Sequence, residues 1–164
     1  MSSLDWIVAA NKRYVAGAAP VDLPAAPARH LAVVTCMDAR IDPLACLGLQ
    51  PGDAHIIRNA GGRASEDVLR SLIISAHLLG TREVAVIHHT DCGLLGLSND
   101  DIRQRVAPGT EADPSGIDFL PFSDQEGSVR DDIASIRSSP FLDPDIAVRG
   151  FIYDVRTGAL AEVE

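Results

Sequence analysis

Three short apolar runs, each β-branched at its centre, constrain this chain more than any other feature of it. They are His30-Leu31-Ala32-Val33-Val34-Thr35-Cys36, Ala54-His55-Ile56-Ile57-Arg58 and Glu83-Val84-Ala85-Val86-Ile87-His88. Continuous apolarity, rather than alternation, is what a strand covered on both faces requires. Between the second and third runs, Val68, Leu69, Leu72, Ile73, Ala76 and Leu79 recur at helix period. Glu66 and Asp67 stand in the first turn of that segment and Gly80 stops it, so Ser65 to Leu79 is predicted to be a helix. A shorter helix is predicted over Asp42 to Leu47. Strand, helix, strand, helix, strand implies βαβ units, and so an α/β fold with a mostly parallel central sheet flanked by helices.

The rest of the chain fits around this unit. Leu4, Ile7, Val8, Asn11 and Val15 give a helical stripe near the N-terminus, followed from Gly17 to Pro27 by an Ala/Pro-rich stretch that reads as an extended arm. Residues 1–29 are therefore expected to lie apart from the sheet and to pack on a partner subunit, within a single domain spanning 1–164. Ser98 to Val106 and Glu126 to Ser138 read as helices, with a loop over Gly109 to Ser123. Ala147 to Val155, the turn Thr157-Gly158, and Ala159 to Val163 read as strand, turn and strand, which adds an antiparallel edge strand.

Composition excludes several function classes. A net charge of −9 argues against a nucleic-acid surface, since phosphate contacts need clustered Lys and Arg. No apolar run approaches the roughly 20 residues that span a bilayer. The first residues show no basic segment leading into an apolar one, so the expected location is the cytoplasm. Thiols stay reduced there, and three cysteines do not make a disulfide framework.

Ligand sites in open α/β sheets form beyond the carboxyl ends of the strands. Cys36 ends the first run, His89 lies just past the third, and Cys92 follows three residues on. Two thiolates and an imidazole suit zinc and leave one tetrahedral position open. Each residue also has a plainer reading: a buried cysteine is often a small hydrophobe, as Cys46 in Leu44-Ala45-Cys46-Leu47 is taken to be. A histidine at a strand end is often only hydrogen-bonded. The context of Cys36 adds weight to the metal reading. In Cys36-Met37-Asp38-Ala39-Arg40, alternate residues point to one side, so Asp38 and Arg40 can pair beside a metal. A paired Asp38 can accept a hydrogen bond from water there instead of ligating the ion.

Cys-x-Asp-x-Arg ending one strand and His-x-x-Cys ending another, with Arg58-Asn59-Ala60-Gly61-Gly62 between them, resembles the β-class carbonic anhydrases from about Val33 to Leu94. The resemblance implies one zinc per chain on Cys36, His89 and Cys92, and an Asp38–Arg40 dyad. It implies reversible hydration of carbon dioxide to bicarbonate and a proton, and a homodimer or dimer of dimers sharing the active-site cleft. It also implies a second state in which Asp38 leaves Arg40 and becomes a metal ligand at low pH. Ala39 stands where the family often carries Ser, and Val33 stands where one bicarbonate-regulated branch carries Trp. His30, His55 and His88 are the candidates for relaying the released proton, though each also reads as structural. Two other functions share the residues: hydrolysis of carbonyl sulfide or carbon disulfide, and a non-catalytic zinc module with a fourth ligand such as His88 or Cys46. Adjacent strand residues face opposite ways, which argues against His88 and His89 sharing one ion.

Overall fold

A computed structural model describes residues 2–17 and 22–164. Its elements are α1 (Ser3–Gly17), β1 (Leu31–Cys36), α2 (Pro43–Leu47), β2 (Ala54–Asn59), α3 (Glu66–Leu79), β3 (Glu83–His89), α4 (Asn99–Val106), α5 (Gln125–Arg137), β4 (Ala147–Tyr153) and β5 (Leu160–Val163). The five strands form one sheet in the order β2-β1-β3-β4-β5. All neighbours are parallel except β4 and β5, which pair antiparallel with Gly150 opposite Val163. The expected α/β class and antiparallel edge strand are both present.

The two faces of β1 explain its unbroken apolarity. Ala32 and Val34, with Val84, Val86 and Val148, pack on Val68 and Leu72 of α3 and Ile136 of α5. Val33 and Ile87 face the other way, toward Leu44, Leu47 and Leu49 around α2. The chain thus leaves β1 toward β2 on one side and returns as β3 on the other. That reversal opens a crevice at the carboxyl ends of β1 and β3, where Cys36 and His89 sit.

Helix boundaries follow local chemistry. Asp42 caps α2 by accepting from Leu44 N and Ala45 N at 3.1 and 3.2 Å, and Gly80 ends α3 in the left-handed region at φ 78°. The loop expected over 109–123 contains one short 3₁₀ turn, Pro114–Gly116, and another, Ala107–Gly109, leads into it. β3 runs one residue further than expected and includes His89. Of the expected arm, Ala18 to Val21 lie outside the described residues, and Asp22 to His30 form no helix or strand. α1 buries none of its residues; Trp6 is 60% and Tyr14 69% exposed.

Candidate metal centre

β1 delivers Cys36 at its last residue, and β3 delivers His89 at its last residue. Thr35 pairs with Ile87, so the two ends are neighbours. Cys92 is brought back by a tight turn. Asp91 takes φ 64°, Thr90 N donates to Tyr153 O, and Leu95 N donates to Cys92 O. The result is that one ligand atom each from Cys36, His89 and Cys92 lies within 4.8 Å of the others, all three residues being buried. Among the described residues no other group of three or more potential ligands converges in this way.

The donors fit a metal on independent grounds. His89 Nδ1 lies 2.8 Å from Thr90 O and so donates to it, while Nε2 is buried without a hydrogen-bond partner. An orphaned imidazole nitrogen aimed at two sulfurs is costly unless something accepts its lone pair. Two thiolates and one imidazole are the donor set that suits zinc and leave its fourth position open. Protonation follows the same crowding. The neighbouring Cys92 side chain, against the cost of burial, holds the Cys36 thiol well below its ordinary value. Cys92 is pushed up because its neighbour Cys36 holds the negative charge, and burial adds to this. Burial disfavours a charged His89, but the facing Cys36 sulfur outweighs it and raises the imidazole above its ordinary value.

Asp38 and Arg40 form a two-pronged pair beside this cluster. Arg40 Nε donates to Asp38 Oδ1 at 2.9 Å and Nη2 donates to Oδ2 at 2.7 Å. Those bonds, with one from the Arg40 backbone N–H, hold the Asp38 carboxyl well below the usual carboxylate range and raise the guanidinium. Asp38 Oδ2 stands 3.8 Å from His89 Nε2, so the carboxylate borders the cluster while remaining engaged by Arg40. Asp38 is not one of the converging ligands in this arrangement. Ile41, Phe122, Leu94, Tyr153 and Val155 pack around Cys36 and Cys92 and give the site an apolar wall.

Several participants carry no sequence motif, or only part of one. Arg58 donates to Cys36 O at 2.9 Å and to Asp38 O at 2.7 Å, strapping the ligand-bearing backbone. Asp91 holds Arg40 from behind, its backbone O accepting from Nη2 at 3.1 Å; its place between His89 and Cys92 was the available signal. The histidines proposed as relays are structural. His30 contacts Gly80 O, and His55 contacts Ser75 Oγ and Ala25 O, both at the far end of the sheet. His88 is fully buried, and both its ring nitrogens are engaged on the face opposite His89. Cys46 is a correction: it is exposed, because the five-residue α2 turns Pro43, Leu44 and Leu47 inward and leaves Cys46 outside.

A family profile described as carbonic anhydrase matches residues 31–110. Beta-carbonic anhydrase 1 of Mycobacterium tuberculosis (strain ATCC 25618 / H37Rv) is 42% identical over 164 residues, covering 99% of each chain. Carbon disulfide hydrolase of Acidianus sp. (strain A1-3) is 32% identical over 155 residues, covering 80% of this chain and 76% of that protein. The crystal structure of carbonic anhydrase from Streptococcus mutans superimposes with a TM-score of 0.96 at 47% identity, over 100% of this chain and 99% of that one. Similarity of this length, sustained through the strand ends that carry Cys36, His89 and Cys92, means that the chain belongs to the β-carbonic anhydrase family.

Proposed function

We propose that this protein hydrates carbon dioxide reversibly to bicarbonate and a proton, using zinc held by Cys36, His89 and Cys92. The observation that carries the reading is the convergence of three buried ligand atoms within 4.8 Å beside an Asp38–Arg40 pair. When bound, zinc supplies Lewis-acid activation of water at neutral pH, lowering its pKa to about 7. Asp38, kept ionised by Arg40, accepts a hydrogen bond from the attacking water and orients it. Arg40 in turn keeps the carboxylate from becoming a further ligand, so the arrangement in which Asp38 is paired is the working one. Ile41, Phe122 and Leu94 offer the apolar surface that a linear, uncharged substrate prefers.

The working unit is proposed to be a homodimer or a dimer of dimers, with residues 1–29 packing on the partner. α1 supports this, since its Leu4, Ile7, Val8 and Val15 are all exposed within one chain. The proposed location is the cytoplasm, where Cys36 and Cys92 stay reduced and able to ligate. Among the described residues no helix is long and apolar enough to cross a membrane.

Metal analysis paired with stopped-flow carbon dioxide hydration tests the reading. Expected are about one zinc per chain, given the single three-ligand cluster, and catalysis that is lost on chelation and restored by zinc. Protein carrying zinc but hydrating carbon dioxide no faster than buffer overturns it. A second reading, hydrolysis of carbon disulfide or carbonyl sulfide, is favoured by the 32% identity to carbon disulfide hydrolase. The higher and longer match to a carbonic anhydrase outweighs it. Release of hydrogen sulfide from those substrates, compared with carbon dioxide turnover, separates the two.

A further inference from the structure

The motifs leave unused a buried polar cluster on the opposite face of the sheet. Asp132 of α5 is only 3% exposed and accepts three hydrogen bonds. Arg63 Nε donates to its Oδ2 at 2.8 Å, Ala64 N to its Oδ1 at 3.0 Å, and His88 Nε2 lies 2.9 Å from Oδ2. One turn earlier on α5, Ser128 Oγ lies 2.9 Å from His88 Nδ1 and 2.8 Å from Gln125 O. A carboxylate this deep with only a structural purpose is expensive, because an apolar residue of equal size often serves as well.

Both segments that Asp132 grips carry the metal site. Arg63 and Ala64 continue directly from Gly61 and Gly62, whose backbones take φ 78° and 70°. Gly62 lies so close to β1 that a Cβ there would stand 2.8 Å from Cys36 N and 2.9 Å from Thr35 C. The second segment is the end of β3, where His88 points to Asp132 and His89, one residue on, points the other way to the two sulfurs. A single carboxylate thus ties the support of one ligand to the strand that bears another, across a sequence separation too large for either to fix locally.

We infer that Asp132 is a positioning residue for the metal ligands: by clamping the Gly61–Ala64 loop and the end of β3 to α5, it holds Cys36 and His89 at the spacing that retains zinc. The inference rests on the zinc reading above. It assigns Asp132 no contact with substrate, and its effect is on how long the ion stays.

The experiment is chelator-driven zinc release, followed with a chromogenic chelator, from the full-length parent and three variants. Asp132→Asn is expected to release zinc about 10- to 100-fold faster, the range typical for loss of a group that orients ligands. Ser128→Ala, which frees only the His88 side of the clamp, is expected to fall between parent and Asp132→Asn. Val148→Ala removes buried apolar volume at the opposite end of the sheet and serves as a variant of reduced Tm with the clamp intact; its release rate should match the parent's. Release from Asp132→Asn and Ser128→Ala within twofold of the parent overturns the inference, whatever their Tm. Equally fast release from Val148→Ala at the same loss of Tm also overturns it, by showing general loosening. Should Asp132→Asn not fold, Ser128→Ala alone decides, parental release being the negative result. A parent that binds no zinc fails at the earlier step and removes the zinc reading itself, which distinguishes the two failures.

Discussion

The hydrogen that serves as the side chain of Gly62 is what lets the loop after β2 rest on the backbone of Thr35 and Cys36. Gly62→Ala would add a Cβ against backbone atoms, at a φ of 70° that L-residues disfavour. The expected loss is about 3 kcal/mol in urea unfolding, from strain and overpacking together. Zinc content below that of the parent should accompany it. Unchanged stability and full metal content would show that the loop can lift away. Asp38→Asn tests the neighbouring role. It keeps the shape but gives up the charge that Arg40 stabilises, and turnover is expected to fall by about 100-fold at unchanged zinc content, a loss typical of misplaced reactants. Unchanged turnover would remove Asp38 from the mechanism. At this scale the residues were legible where chemistry and short spacing coincide, as in Cys36-x-Asp38-x-Arg40 and His89-x-x-Cys92. Cys46 was not, because its exposure depends on which way a five-residue helix rolls.

The element with the widest reach is α5, whose Asp132 and Ser128 meet β3 and the loop after β2. Burial works to raise the Asp132 carboxyl, but hydrogen bonds from His88 and Arg63 win and lower it. A depressed folded-state pKa means a contribution to stability that is complete above the unfolded value of about 3.9 and is lost as pH falls through the folded one. With zinc stripped from both proteins, Asp132→Asn is therefore expected to be less stable than the parent at pH 7 by about 3 kcal/mol, the penalty for leaving a buried Arg63 unpaired. The gap should narrow steadily as the pH drops below about 4. Urea unfolding at pH 7, 5 and 3 measures it, and an equal gap at pH 3 and pH 7 would show that the carboxylate charge is not what matters. Strands and helices themselves were readable to within a residue or two, since their periodicity is local.

For the whole molecule, the surface that stands out is α1, whose apolar Leu4, Ile7, Val8 and Val15 are left exposed by the described residues of its own chain. An amphipathic helix left in water stabilises little by itself; it needs an apolar partner. Light scattering at micromolar concentration is expected to give at least twice the chain mass of 17.4 kDa, and removal of residues 1–17 is expected to reduce it. A parent running only at 17.4 kDa would contradict the proposed assembly.

By itself, the sequence determined the α/β class, the parallel run of β1, β2 and β3, and the identity of the residues that converge. Burial on both strand faces and the 3.6-residue helix period are written in local composition, and the motifs sit at strand ends where such sheets place their sites. Only the tertiary structure decided that the clustered donors lie within 4.8 Å, that Arg40 forks onto Asp38, and that His88 is tied to an aspartate 44 residues away. Those outcomes depend on packing between elements distant in sequence. Neither residue type nor spacing within one segment encodes which helix will press on which strand.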